Sequence, residues 1–277
     1  MRIVNLIENT PGVEGCAAAH GLSFCIETAR KKILFDAGPS EETLKNAERL
    51  GIDLRKVDMA ILSHGHYDHS GGLLAFAALN PAAPIYMQRG AGGENYAYDG
   101  PGKGYRYIGI DKAILALPQV RLLDGDADLG GGIRLFTVEE RKHSLPSTNR
   151  RIMKKDGDAF IQDDFAHEQS LYVRSAGSSA IVSGCAHSGI LNVLEEFTRK
   201  FGRVELPRVV VGGFHLMRKT GYAESDRPEQ DEIARRLKAY PCRFLTCHCT
   251  GEEPYEHMKA IMGDQLGYVH TGEEISL

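Results

Sequence analysis

"SHGHYDHSGG", residues 63–72, sets His64, His66, Asp68 and His69 within six positions and follows them with Gly71 and Gly72. The apolar run before it, "VDMAIL", reads as a strand, and "GGLLAFAALNP" after it reads as a helix stopped by Pro81. Residues two apart on extended backbone point the same way, so His64 and His66 are placed to grip one ion, while Asp68 and His69 face a second position beyond the turn. Imidazole nitrogen and carboxylate oxygen suit Zn, Mn or Fe, and Gly65 and Gly71 let the backbone bend tightly around the ions. A lone histidine is usually satisfied within a core. Four donors crowded at a strand end are not explained that way.

Outward from this cluster the same strand, loop, helix order recurs. "KKILFDAG" (31–38) reads as a strand stopping at Asp36, with Ser40 as the N-cap of a helix that Gly51 ends. "SAIVSGCAHSG" is an apolar strand running into a glycine-rich turn, followed by a helix carrying Leu191, Leu194, Phe197 and Phe201 on one side and ended by Gly202. "RVVVGGFHL" and "RFLTCHCTG" repeat the strand-then-turn pattern, with a helix over about 228–240 between them. No linker composition breaks the chain, which predicts a single α/β domain over 1–277 made of two similar halves. Residues 88–107, rich in Gly and Tyr, read as a long loop, either a lid or substrate wall or a mobile crossover. Residues 141–155 carry seven basic residues and either receive an anion or form a solvated loop. "GDADLGGGI" reads as a turn, since its glycines have neither P-loop nor Rossmann spacing.

Composition narrows the function classes. Lys plus Arg total 33 against 37 for Asp plus Glu, so no overall positive field draws in nucleic acid. No basic segment followed by an apolar run opens the chain, and no uncharged apolar stretch nears the roughly 20 residues that span a bilayer. The expectation is a cytoplasmic protein without a membrane partner, its six cysteines reduced.

The pattern "HGHYDH" resembles the signature of the metallo-β-lactamase superfamily. "AHGLSFCIET", "ILFDAG", "VSGCAHSGILN", "VVGGFHL" and "CHCTG" follow in order and resemble a branch that includes the archaeal dihydropterin-ribofuranosylaminobenzene 5'-phosphate synthases. The resemblance covers nearly the whole chain and is weakest in the middle third. It implies an α/β fold of the four-layer αββα sandwich type, with one or two metals, zinc first among them, where the two sheets meet.

It also implies further ligands from downstream strand ends. His187 joins His64 and His66 at the first metal, His248 joins Asp68 and His69 at the second, and His215 is a neighbour that contacts substrate or metal. Asp36 resembles the buried aspartate that orients the histidine loop. Many relatives bridge the metals with an aspartate where this chain offers Cys185, either a thiolate ligand or an inert buried thiol. His20 lies at the pocket rim or at the surface.

An ion at such a site lowers the pKa of bound water from about 15.7 towards 7. With no Gly-x-Ser-x-Gly elbow and no evident Cys nucleophile, the expected chemistry is hydrolysis by activated water, with Asp68 both holding metal and orienting the water and His215 the other candidate catalytic group. Anionic small molecules, phosphate esters or diphosphates, are the expected substrates, met by Arg89, Lys103 and Arg106. The alternatives are the synthase-like transfer, in which an aryl nucleophile displaces diphosphate from a dihydropterin, and a non-catalytic ligand-binding sensor.

Overall fold

The computed structural model describes residues 1–218 and 221–277. Two seven-stranded sheets face each other. The first runs edge to edge through Glu274–Ser276, Arg2–Ile7, Ser23–Glu27, Lys32–Phe35, Met59–Ile61, Ile85–Gln88 and Val120–Leu123. The second runs through Leu266–Tyr268, Arg243–Thr246, Val209–Val211, Ser178–Val182, Ser170–Ser175, Ile133–Phe136 and Ala127–Gly130. Between them lies a core drawn from both, including Phe24, Phe35, Ile61, Leu171, Val182 and Val211.

The outer faces are covered by helices, which completes the four-layer αββα sandwich. Glu42–Arg49 and Leu73–Leu79 pack Ala47, Leu73 and Phe76 on the first sheet. Ile190–Phe201, Arg227–Lys238 and Glu252–Met262 pack Leu194, Phe197, Leu237 and Met258 on the second. Central strands such as Met59–Ile61 and Val209–Val211 are therefore buried on both faces, which is why they read as unbroken apolar runs. The last strand, Glu274–Ser276, pairs antiparallel with Arg2–Ile7, so the chain end closes the first sheet. Among the described residues no helix is long and apolar enough to cross a membrane.

Each sheet carries a run of parallel strands, four in the first and four in the second, and their C-terminal tips lie along one edge of the sandwich. Loops at such tips are where α/β sheets bind ligands.

Several local expectations change. Ser40 sits one residue outside the N-cap: the helix starts at Glu42, and Ser40 Oγ accepts from the Glu42 N–H at 3.3 Å. Residues 88–107 are largely not loop. Asn95–Tyr98 and Tyr105–Tyr107 pair as a hairpin, and with Ile152–Asp156 and Ala159–Gln162 they build a third, four-stranded antiparallel sheet. Cross-strand rings hold it: Tyr96 meets Tyr107 at 5.4 Å, and Tyr105 stacks on Phe160 at 3.8 Å. The basic stretch supplies the 3₁₀ turn Ser147–Arg151 and one of these strands. "GDADLGGGI" is a hairpin whose turn uses Gly130, Gly131 and Gly132 at positive φ.

Candidate metal centre

The strand tips reach the site through strained turns. Outside glycine, six of the described residues have positive φ: Asp36, Phe165, Ala176, Ala186, His215 and His248. Five of them, all except Ala176, belong to the site or pack on it. Left-handed backbone at non-glycine residues costs of order 1–3 kcal/mol and persists where the surroundings over-determine it. The histidine loop is held as firmly. The Gly65 carbonyl accepts from Asn95 Nδ2 at 2.8 Å, its N–H donates to His167 Nδ1 at 3.1 Å, and a Cβ there would overlap Ala91.

His64, His66 and His187 form a triangle of rings with centroids 4.5, 4.8 and 4.8 Å apart. Each Nε2 is buried without a hydrogen-bond partner. A buried polar atom left bare costs about 1–3 kcal/mol, so three on touching rings call for an occupant that accepts nitrogen lone pairs. The donor atoms of His64 and His187 lie within 4.8 Å of each other and of Cys185 Sγ, whereas His66 groups that closely with Asp163 and His167. The residues bring this about from a loop, since the strand ends at Ile61 and His66 is already the N-cap of the short helix Tyr67–Ser70. Alternation along a strand is thus not what aligns His64 with His66.

A second donor group adjoins the first. His69 Nε2 lies 3.2 Å from His248 Nε2 and 3.2 Å from Cys185 Sγ, and Asp68 Oδ2 lies 3.5 Å from His248 Nε2 and 4.0 Å from His69 Nε2. Nitrogens bound to one tetrahedral zinc at about 2.0–2.1 Å stand roughly 3.3 Å apart, so this spacing fits a shared ion.

Neighbouring side chains fix the tautomers. Asp36 accepts from His69 Nδ1 at 2.6 Å and from both the N–H and the hydroxyl of Ser63 at 2.7 Å, leaving Ser63 Oγ to accept from His64 Nδ1 at 2.8 Å. Asn149 Oδ1 pairs with His187 Nδ1 at 2.9 Å, and Asn9 Oδ1 with His248 Nδ1 at 2.8 Å. A proton held on each Nδ1 leaves the Nε2 lone pair facing inward, the arrangement metal-binding histidines use. Glu168 further pins the turn, accepting from the His187 and Ser188 N–H groups at 2.6 and 2.7 Å.

For the first donor group the electrostatics agree. Burial, reinforced by adjacent imidazoles, holds His64 and His187 well below 6.5, and burial with His167 beside it takes His66 to about 3. These three rings are neutral at pH 7. For His69 burial opposes protonation, yet Asp36 and Asp68 together outweigh it and raise the ring to about 9, so this ring carries both protons at pH 7 and gives up the one on Nε2 when it takes an ion. Burial likewise works against an ionised Asp68, but His248, His69 and His20 hold its carboxyl well below the usual range.

The donors open on a cavity of about 770 Å³, within the usual size of small-molecule sites. His66, Asp68, Cys185, His187, His215 and His248 line its floor, and Ala97, Tyr98, Asp99 and Ile108, on or beside the third sheet, help form its wall. His20, Lys103 and Arg106 are brought to it, with His20 Nε2 3.4 Å from Asp68 Oδ2. Arg89 is not. It lies at the surface, outside the cavity lining, in a two-point ion pair with Asp124 at 2.9 and 2.8 Å. Arg150, Arg151 and Arg218 line the cavity instead.

Sequence reasoning missed several participants. Cys249 follows His248 directly, and its strand-end position was a usable signal. Asn9, Asn149, Asp163 and His167 gave none, since each acts through tertiary contact. His167 is buried against His66, but its two ring nitrogens are already engaged by the Gly65 N–H and by Asp163 Oδ2 at 3.1 Å. It braces the loop.

Comparisons with known proteins agree with the fold. The family described as "Metallo-beta-lactamase superfamily" matches residues 18–145. An uncharacterised protein of Methanocaldococcus jannaschii is 28% identical over 278 residues, covering 98% of each chain. A second protein of that organism, 7,8-dihydropterin-6-methyl-4-(β-D-ribofuranosyl)-aminobenzene-5'-phosphate synthase, is 27% identical, covering 92% of this chain and 89% of its own. Among solved structures, a metal-dependent hydrolase of the β-lactamase superfamily is similar with a TM-score of 0.83 at 26% identity, covering 100% of this chain and 99% of that one.

Proposed function

We propose that the chain, whose residues 18–145 match the metallo-β-lactamase superfamily, is a metal-dependent hydrolase of that superfamily acting on a phosphate ester or diphosphate of a small molecule. The observation that carries the reading is the set of three bare Nε2 atoms, on His64, His66 and His187, beside a cavity walled by cations. In this reading His64, His66 and His187 hold one divalent ion, and Asp68, His69 and His248 a second, with zinc, manganese or iron as candidates. Such ions supply a water ionised near neutral pH and polarise the oxygen of the bond under attack.

The chain's own residues do the rest. Asp68, ionised and at the cavity floor, orients the attacking water by accepting its hydrogen bond. Lys103 and Arg150 line the cavity with no ion-pair partner among the described residues, so both are available to substrate oxygens. Arg106 and Arg151 are instead fixed by Asp99, which keeps their guanidinium groups in place along the same wall. Arginine and lysine together suit the charge and geometry of phosphate.

Incubating metal-loaded protein with phosphomonoester, phosphodiester and diphosphate panels tests the reading, with phosphate or diphosphate release as the signal. Turnover that falls about 10²–10⁴-fold in Asp68→Ala supports it. No release on any panel contradicts it.

One observation favours a second reading. The relative named as a synthase aligns over most of both chains, which supports a transferase in which an aryl nucleophile, not water, displaces diphosphate from a dihydropterin. The two separate cleanly: diphosphate released only when the aryl acceptor is present, with a coupled product, favours transfer, and release without acceptor favours hydrolysis.

A further inference from the structure

Cys185 belongs to three donor groups at once. Its Sγ lies within 4.8 Å of His64 and His187 donors, of His69 and His248 donors, and of His215 and Cys249 donors. The first two groups draw on the imidazoles already described. The third does not: Cys185 Sγ, Cys249 Sγ and a ring nitrogen of His215 converge on the cavity floor without any residue of the "HGHYDH" loop.

Three consecutive parallel strands deliver one donor each to that point. Cys185 follows Ser178–Val182, His215 follows Val209–Val211, and Cys249 follows Arg243–Thr246. Beside or at every donor the backbone is left-handed, at Ala186, His215 and His248. Both thiols are buried, and His215 Nδ1 is buried with no hydrogen-bond partner. Cys249 Sγ makes a contact of 3.5 Å to the Cys185 carbonyl, a weak bond for a sulfur donor. Room for this sulfur is built in, since a Cβ on Gly213 would overlap it.

We propose that Cys185, Cys249 and His215 form a sulfur-rich cation position beside the imidazole centre, selective for a soft divalent ion such as Zn²⁺ or Cd²⁺. On binding, each thiol gives its proton to solvent and the ion takes two thiolates and one imidazole, with no change of oxidation state. Thiolate ligands favour zinc and cadmium over manganese, so this corner biases the centre towards the softer metals. The inference is independent of which reaction the cavity performs.

Cd²⁺ titration of the chelator-stripped, reduced protein tests it, read by thiolate-to-metal charge-transfer absorption in the near ultraviolet and by bound stoichiometry. The wild type is expected to develop the band, and Cys249→Ser to lose most of it together with one equivalent of ion while retaining the ions held by the imidazole centre. His215→Ala, which leaves both sulfurs in place, is expected to lose the same equivalent and guards against a Cys249→Ser variant that fails to fold. Cadmium uptake without the band, or a band and stoichiometry unchanged in Cys249→Ser or in His215→Ala, overturns the proposal and leaves the imidazole centre standing. Uptake of no cadmium at all overturns both.

Discussion

Asp36 shows how much of the centre depends on one carboxylate outside it. It is buried, left-handed at φ 57°, and joins His69 Nδ1 to Ser63, whose hydroxyl in turn receives His64 Nδ1. One side chain thereby sets the tautomers of two proposed ligands, one from each donor group. Asparagine tolerates left-handed backbone and fills nearly the same volume, so Asp36→Asn removes charge without forcing the loop to move. The expected result is a loss of about 10–100-fold in metal affinity, measured by competition with a chromophoric chelator. The residue was legible because it ends a strand, at "LFDAG". Asn9 and Asn149, which do the same work for His248 and His187, were not, because they reach the site from positions with no motif around them.

At the scale of elements, strand tips were the readable part. An apolar run with a glycine or a histidine within three residues of its end marks both the end of a buried parallel strand and the start of a loop free to carry chemistry, and Lys32–Phe35, Met59–Ile61, Ser178–Val182, Val209–Val211 and Arg243–Thr246 all follow that rule. The third sheet was hidden. Its strands are short and mostly exposed, their tyrosines alternate with Asn95, Ala97 and Arg106, and their pairing is with Ile152–Asp156, more than forty residues away. Stacking stands in for burial there, and rings packed in this way contribute about 0.5–1.5 kcal/mol beyond their area. Phe160 faces Tyr105 with the two planes only 6° apart. Phe160→Ala is expected to loosen this wall. KM for a phosphorylated substrate rises while bound metal, measured by elemental analysis, stays unchanged. A loss of metal in that variant would mean the sheet supports the centre itself and not its cavity.

The body of the molecule is a sandwich of two sheets with helices outside, and the histidines lie where the tips of both sheets meet, so folding and site assembly are one event. Stability must then follow the buried imidazoles. In the unfolded chain His64, His66 and His187 titrate near 6.5, whereas burial keeps them neutral in the fold far below that value. Their contribution is complete above pH 6.5 and shrinks as pH falls, because the unfolded chain takes up protons that the native state refuses. His69 acts in the opposite sense, its contribution present below 6.5 and lost as pH rises through about 9. Chelator-stripped protein is therefore expected to show a denaturant midpoint that drops from pH 7 to pH 5, with three depressed groups outweighing one raised one. The most direct measurement is calorimetric titration of that stripped protein with Zn²⁺ at pH 7, alongside His66→Ala. Saturable uptake of at least one equivalent by the wild type, weakened or abolished in the variant, is the predicted result. A folded wild-type protein that takes up no divalent cation would contradict the account at its centre.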